Sequence, residues 1–434
     1  MTLRAALLAC TFLTAATLTA SDWPGFRGPN RDGVCTETGL LKKWPEAGPP
    51  LVWTSKNLGL GWGTPSVADG VIYGIGNRDG KEGVWALDES SGKEMWFTPF
   101  ADPATGLGNQ TNGPASTPTV HKGKVYAVTA NGTLSCVDAK TGKPAWSKNY
   151  VKEFGGAVPK WGYTESVLPD GDKIICAPGG KGAAVVALKA DSGQVVWKSD
   201  VGAVGKGNGY SSPVKATFGN VPAYVALLGD ESGVVAVRAD TGKLLWQYKA
   251  LGANGGVAQI PIPIVKGDKV WVSCSYDKGG SALLQIVPKG KDAFEAKALK
   301  TYKKDDLNNH HGGMVLIGDH VYFGHNQNKG FPVCVEFATG EIKWGPITKD
   351  TAGGSGSAAT LFADGMLYFR YQNGVLVLIE PSADDLKVVS SFKLPPPDVK
   401  SYSQSWPHPV IANGKLYIRD QNLLHCYNVK AQGN

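Results

Sequence analysis

Past its first twenty residues this 434-residue chain has no apolar run approaching the ~20 residues a membrane-crossing helix needs. No transmembrane segment is therefore expected in the body of the sequence. No stretch carries the apolar period of an amphipathic helix, which points away from helical architectures. C-x-x-C, C-x-x-C-H and adjacent cysteine pairs are all missing, which disfavours structural zinc and attached haem. Charge of one sign is nowhere concentrated. The formal net charge is +7, with basic residues spread over turns, so no nucleic-acid partner is indicated. No low-complexity linker divides the chain, and one large domain is the economical expectation.

Residues 1–20 hold one basic residue, Arg4, then an uncharged apolar run and a small residue at the end (TLTA, before SDWP). That pattern is a secretory signal, so the mature chain is expected to begin near Ser21, in the periplasm or outside the cell. Cys10 has only five apolar residues before it and is not read as a lipid-attachment site. Losing the leader removes Arg4 (+7 − 1 = +6) and Cys10, leaving Cys35, Cys136, Cys176, Cys274, Cys334 and Cys426. An oxidising compartment permits bridges. Four of the six fall in separate predicted strands, so buried free thiols are expected, with any pairing left open.

What the chain does contain is one sentence repeated: VWALDESSGKEMW (84–96), LSCVDAKTGKPAW (134–146), VVALKADSGQVVW (185–197), VVAVRADTGKLLW (234–246) and VCVEFATGEIKW (333–344). Tryptophans in register fall at Trp53, Trp96, Trp146, Trp197, Trp246 and Trp344, with gaps of 43, 50, 51, 49 and 98 residues, the last being two periods. Each unit reads as short β-branched and aromatic strands joined by glycine turns. Four short strands about every 50 residues is the spacing of propeller blades.

The two ends complete one another. LVWTSKN (51–57) has a Trp strand with no signature before it, and the C-terminal LLHCYNVKAQGN has a pre-turn strand and glycine with no Trp after it. Placing Trp53 after that segment, pairing around Cys426, closes a ring and hides its edges. The expected fold is all-β: an eight-bladed β-propeller of four-stranded antiparallel blades over residues 51–434, closed by the N-terminal strand, with 21–50 as an N-terminal extension. Blades are expected to begin near Gly61, Gly113, Gly162, Gly209, Ala258, His311, Gly354 and Ser405. In the fifth and seventh, which lack the turn and the Trp, Tyr302 and Phe392 are expected to pack in its place. The repeat tryptophans are read as blade-to-blade packing residues.

The A-x-D-x-x-[ST]-G-x-x-x-W pattern at Ala86–Trp96, with its copies ending at Trp146, Trp197 and Trp246, resembles the tryptophan-docking repeat of the pyrroloquinoline quinone (PQQ) propeller superfamily over essentially all of 51–434. DWPGFRGPNRDGV (22–34) resembles the segment preceding the propeller in secreted single-domain members. The resemblance implies one of two activities: a quinoprotein alcohol or sugar dehydrogenase holding PQQ and Ca²⁺, or a non-catalytic lipoprotein that assists outer-membrane barrel assembly. The chain departs from the dehydrogenase pattern in having no vicinal cysteines and no W-x-x-G-D-N-type segment. Its length is similar to that of the non-catalytic members.

Repeat register alone locates a candidate site, because inner strands start at one mouth of the central channel and equivalent positions form a ring there. Around it run GWGTP (Trp62, Thr64), GPASTP (Ser116), WGYTE (Trp161, Tyr163, Glu165), NGYSS (Asn208, Tyr210), VAQIP (Gln259), NNHHGG (Asn309, His310, His311), GGSGS (Ser355, Ser357) and SQSWPHP (Gln404, Trp406, His408). Ligand contact is expected at Trp62, Tyr163, Glu165, Tyr210, Gln259, His311, Trp406 and His408, whose aromatic and polar mixture suits a concave site. The same aromatics could simply plug the channel. His310 and His311 should point to opposite faces of a strand, which argues against a shared metal. Glu165 stands where other blades place Pro65, Pro118, Ser212 or Pro261, and a carboxylate there needs a cation, a basic side chain or a ligand hydroxyl.

Two classes of function follow. One is a monomeric secreted binding or scaffold propeller that takes a protein partner or small ligand at the channel mouth. The other is a PQQ-dependent oxidoreductase with the quinone over Trp406 or Trp62 and Glu165 helping to hold Ca²⁺. The serines of GPASTP and GGSGS are in no nucleophile elbow, which leaves hydrolysis a remote third.

Overall fold

A computed structural model describes residues 21–108, 113–204, 209–229, 231–251, 258–276, 279–349, 351–396 and 406–431. Eight antiparallel sheets follow one another around a ring. The first blade is Ser66–Ala68, Val71–Arg78, Lys81–Asp88 and Glu94–Ala101, counted outward from the channel. The eighth combines Val410–Ala412, Lys415–Asp420 and Leu423–Asn428 with Leu51–Ser55 from the other end of the chain, and Trp53 lies opposite Cys426. Closure by the N-terminal strand is thus as the complementary ends require. The only helix among the described residues is Tyr150–Phe154, absent from the sequence expectation. Asn149 Oδ1 caps it by accepting from Val151 and Lys152 N–H, and Gly155 ends it in the left-handed region at φ 68°.

The repeat signature has a mechanical explanation. Each outer strand pair carries a one-residue bulge just before the Trp, which sets the indole opposite a small residue: Trp96 on Ala86, Trp146 on Cys136, Trp197 on Ala187, Trp246 on Ala236, Trp344 on Cys334 and Trp53 on Cys426. Three of the cysteines are therefore small apolar partners of an indole, and all six described cysteines are buried and free. The bulge also turns Met95, Val52 and Val196 outward, which accounts for three of the exposed apolar side chains. Four of the six indoles then dock on the turn glycine of the next blade: Trp53 on Gly92, Trp96 on Gly142, Trp146 on Gly193 and Trp197 on Gly242. A Cβ at Gly92 or Gly142 would lie 2.6 or 2.7 Å from indole carbons. In the fifth blade the Tyr302 hydroxyl takes the docking role, donating to Gly340 O at 2.9 Å, and in the seventh Phe392 packs on Trp44 and Tyr427.

Residues 22–41 cross the channel and touch inner strands almost all the way round. Trp23 exchanges backbone hydrogen bonds with Val67, and Pro24 O accepts from Val120 N–H. The Arg31 guanidinium donates to Val167 O and Pro213 O, between the third and fourth blades. That of Arg27 donates to Met314 O and Thr360 O, between the sixth and seventh. Val34–Cys35 adds a parallel fifth strand inside the seventh blade, and Glu37 accepts from Asn413 and Gly414 N–H in the eighth. One mouth of the channel is closed by this strap. Two arginines survive full burial because backbone carbonyls accept their N–H groups.

Candidate functional site

The strap leaves a cavity of about 140 Å³ lined by Phe26, Trp62, Thr64, Ala115, Trp161, Thr164, Tyr210, Ser212, Ile260, Tyr276, His311, Trp406, Pro407 and His408. The contributors obey a rule. Counting six residues back from the last residue of each inner strand (Ala68, His121, Asp170, Phe218, Lys266, Ile317, Ala363, Ala412) gives Trp62, Ala115, Thr164, Ser212, Ile260, His311, Ser357 and Trp406. All of these but Ser357 line the cavity. Extended backbone alternates faces, so most neighbours of opposite parity turn away; Trp161 and Pro407 are the exceptions on the wall.

Of the residues anticipated from sequence, Trp62, Tyr210, His311, Trp406 and His408 are brought together on the wall. Tyr163, Glu165 and Gln259 are not among its lining residues; they have the opposite parity and are buried between blades. Glu165 has its partners inside the protein: Tyr150 donates a hydroxyl at 2.5 Å to Oε1, and Ala177 N–H donates at 2.8 Å to Oε2. Burial raises its pKa to about 7, while those two hydrogen bonds and the Arg31 charge pull the other way. Tyr163 donates to Pro178 O and packs edge-on against Tyr150 at 5.2 Å between centroids. Asn208 and Gln404 lie outside the described residues, as does the expected blade start at Ser405. The wall residues that lie outside the motif stretches read around the ring are Phe26, which the strap supplies, and Tyr276, which follows the second strand of the fifth blade. Phe26 could have been suspected from its place in GFRGPNR; nothing in the sequence marks Tyr276.

The wall consists of packed rings. Trp62 and Trp406 have centroids 4.7 Å apart, His311 lies edge-on to Trp406 at 4.9 Å, and Trp161 sits 5.4 Å from Tyr276. His310 and His311 do not point to opposite faces, as alternation required. The inner strand Asn309–Ile317 loses register between Asn309 and Met314, and the two imidazoles lie against each other at 4.1 Å. Burial drives the pKa of His311 down to about 3, and that of His408 likewise, with the Arg27 charge adding to the second. His408 donates from Nε2 to His311 O at 3.0 Å, so its Nδ1 is the acceptor facing Arg27 Nη1 at 3.4 Å.

Most polar side chains of the wall are already engaged. Thr64 Oγ1 accepts from His408 N–H, Thr164 donates to Tyr210 O, and Ser212 Oγ accepts from Ser166 N–H. Two buried nitrogens on the wall, Trp62 Nε1 and His311 Nε2, have no hydrogen-bond partner among the described residues. No group of three or more His, Cys, Asp or Glu among the described residues is arranged to hold a metal. The described lining also has no Asp, Glu, Asn, Gln, Lys or Arg. Ca²⁺ takes six to eight oxygen ligands, and the carboxylates of PQQ call for cationic or N–H partners in number. This lining does not fit the pair.

These features define an eight-bladed propeller with a strap-closed aromatic cavity at its axis. The chain belongs to the PQQ-like propeller family: a family model described as "Outer membrane protein assembly factor BamB" matches residues 45–220 and 155–385. It is similar to the dehydrogenase subunit of the quinone alcohol dehydrogenase of Komagataeibacter europaeus, at 34% identity over 31% of this chain and 19% of that one. It is also similar to the outer membrane protein assembly factor BamB of Burkholderia pseudomallei, at 28% identity over 27% of this chain and 28% of that one. The matched part is thus a fifth to a quarter of these relatives' length. Among solved structures, the quinohemoprotein alcohol dehydrogenase of Comamonas testosteroni superposes with a TM-score of 0.62 at 14% identity, covering 95% of this chain and 81% of that one, a likeness of fold. The propeller is related to an outer membrane protein assembly factor and to dehydrogenases alike, and fold does not choose between them. No helix among the described residues is long and apolar enough to cross a membrane.

Proposed function

We propose that this chain is a binding propeller, exported by residues 1–20, whose cavity takes a small uncharged ring carried by a ligand or displayed by a protein partner. The supporting observation is the cavity itself, walled by Phe26, Trp62, Trp161, Tyr210, Tyr276 and Trp406 with no carboxylate among its described lining residues. An engineered apolar cavity of about 150 Å³ holds benzene, so about 140 Å³ suits one six-membered ring. Cations are disfavoured because the imidazoles are held neutral and the charge set against His408, Arg27, is positive. Polyhydroxylated rings are disfavoured as well, since the polar groups there to receive them are few: two unpartnered nitrogens and the hydroxyls of Thr64, Tyr210, Ser212 and Tyr276, three of which already accept from backbone N–H groups.

Isothermal titration of the wild-type chain with acetophenone, benzylamine and methyl β-glucoside tests this. Saturable 1:1 binding is expected for acetophenone alone, and is expected to disappear in Trp406→Ala at unchanged melting temperature. Tighter binding of benzylamine or the glucoside contradicts the proposal. Stoichiometric uptake of PQQ with Ca²⁺, seen as a protein-bound quinone band, would move the chain to the dehydrogenase side of its family.

A further inference from the structure

Ser357 is the one position of the ring rule that does not face the cavity, and its hydroxyl is instead committed to a neighbour. Ser357 Oγ lies 2.6 Å from His310 Nδ1, and His310 Nε2 lies 2.7 Å from the Tyr276 hydroxyl, which is on the cavity wall. Ser357 and His310 are buried. None of the three was read as a ligand contact from sequence, and the aromatic wall does not account for their alignment.

Proton counting fixes the direction of this chain. Ser357 Oγ already accepts from Asn328 N–H at 3.2 Å. If His310 Nδ1 were the donor, the Ser357 proton would be buried with no acceptor among the described residues, at a cost of the order of a lost hydrogen bond. With Ser357 as donor to Nδ1, the neutral imidazole carries its proton on Nε2 and donates it to the Tyr276 oxygen. Burial lifts Tyr276 to about 12 and holds His310 well below its ordinary value, so both are neutral. The phenol oxygen is thereby occupied as an acceptor, and its own proton is left to point into the cavity.

We infer that Tyr276, oriented by Ser357 and His310, is the specificity-determining donor of the cavity, and that the ring bound there carries a hydrogen-bond acceptor such as a carbonyl oxygen at the edge facing it. Chains of this kind are cooperative, each bond polarising the next. The ligand class is a neutral monocyclic aromatic ketone, quinone or ester, which stacks on Trp62 and Trp406 and accepts from Tyr276. This rests on the binding function proposed above.

The test compares acetophenone, which has the acceptor, with toluene, which lacks it, in the wild type, Tyr276→Phe and Ser357→Ala, all checked for unchanged melting temperature. The readout is the ratio of the two dissociation constants, which cancels general effects on ring binding. In Tyr276→Phe the preference for acetophenone is expected to fall about threefold to tenfold, the worth of one neutral hydrogen bond, with toluene affinity unchanged. In Ser357→Ala, which alters no residue of the cavity wall, Tyr276 is released to donate to His310, and the same fall is expected with the phenol still present. A ratio unmoved in Tyr276→Phe overturns the donor role, and one unmoved only in Ser357→Ala overturns the Ser357-to-His310 orientation. If neither ring binds the wild type, it is the binding function itself that fails.

Discussion

Gly142→Ala tests the docking of each blade on the next. Gly142 sits at φ 69°, and a Cβ there would lie 2.7 Å from the Trp96 indole. Gly123 sits at φ 70° in another turn of the same blade with nothing within 4 Å of its would-be Cβ, so Gly123→Ala carries the backbone strain and no clash. Left-handed backbone costs a non-glycine residue about 1–2 kcal/mol, and overpacking against an indole adds about 1–3 kcal/mol. Unfolding entropy of about 2.1 cal/mol/K per residue over roughly 400 residues makes each kcal/mol worth about 1 °C in Tm. Differential scanning calorimetry should therefore show Gly123→Ala lowered by about 1–2 °C and Gly142→Ala by about 2–5 °C. Equal shifts in the two variants would mean that the indole yields without cost, and that the repeat glycine serves its turn and not the seam.

Three further outcomes are expected. Glu165 holds its proton more tightly folded, at about 7, than at its ordinary 4.5, so its contribution is full below pH 4.5 and lost as pH rises to 7, a difference of about 3 kcal/mol. Glu165→Gln should flatten Tm against pH across that window, and an unchanged slope would show that Glu165 is not the titrating group. Trp197→Ala should cost about 3–5 kcal/mol in denaturant melts through lost contacts and a cavity, with ring binding unaffected while the chain stays folded. Deleting residues 21–58 removes the strap and the closing strand together, and light scattering should report aggregation; a monomer with unchanged Tm would contradict ring closure.

The period, the blade count and the closing strand were legible because each blade performs one packing task with the same residues. Cavity membership was legible only in part. Aligning blades by their opening motifs placed Tyr163, Glu165 and Gln259 beside Trp62 and Trp406, but a shift of one residue exchanges the two faces of an extended strand. Aligning on the turn that ends each inner strand, where Ala68 and Asp170 are equivalent, selects Thr164 and Ile260 in their place. The strap was hidden for a different reason. Arg27 and Arg31 are satisfied by carbonyls distant in sequence, and no local pattern announces such acceptors. The bulge that brings His310 against His311 was likewise beyond any rule of alternation.

The most direct measurement is a crystal of residues 21–434 soaked in 4-bromoacetophenone, with bromine located by its anomalous signal. The account predicts one bromine site with the ring between Trp62, Trp406 and Trp161 and the ketone oxygen within hydrogen-bonding distance of the Tyr276 hydroxyl. Bromine confined to the outer surface of the blades, with the cavity rings closed on one another, would contradict it.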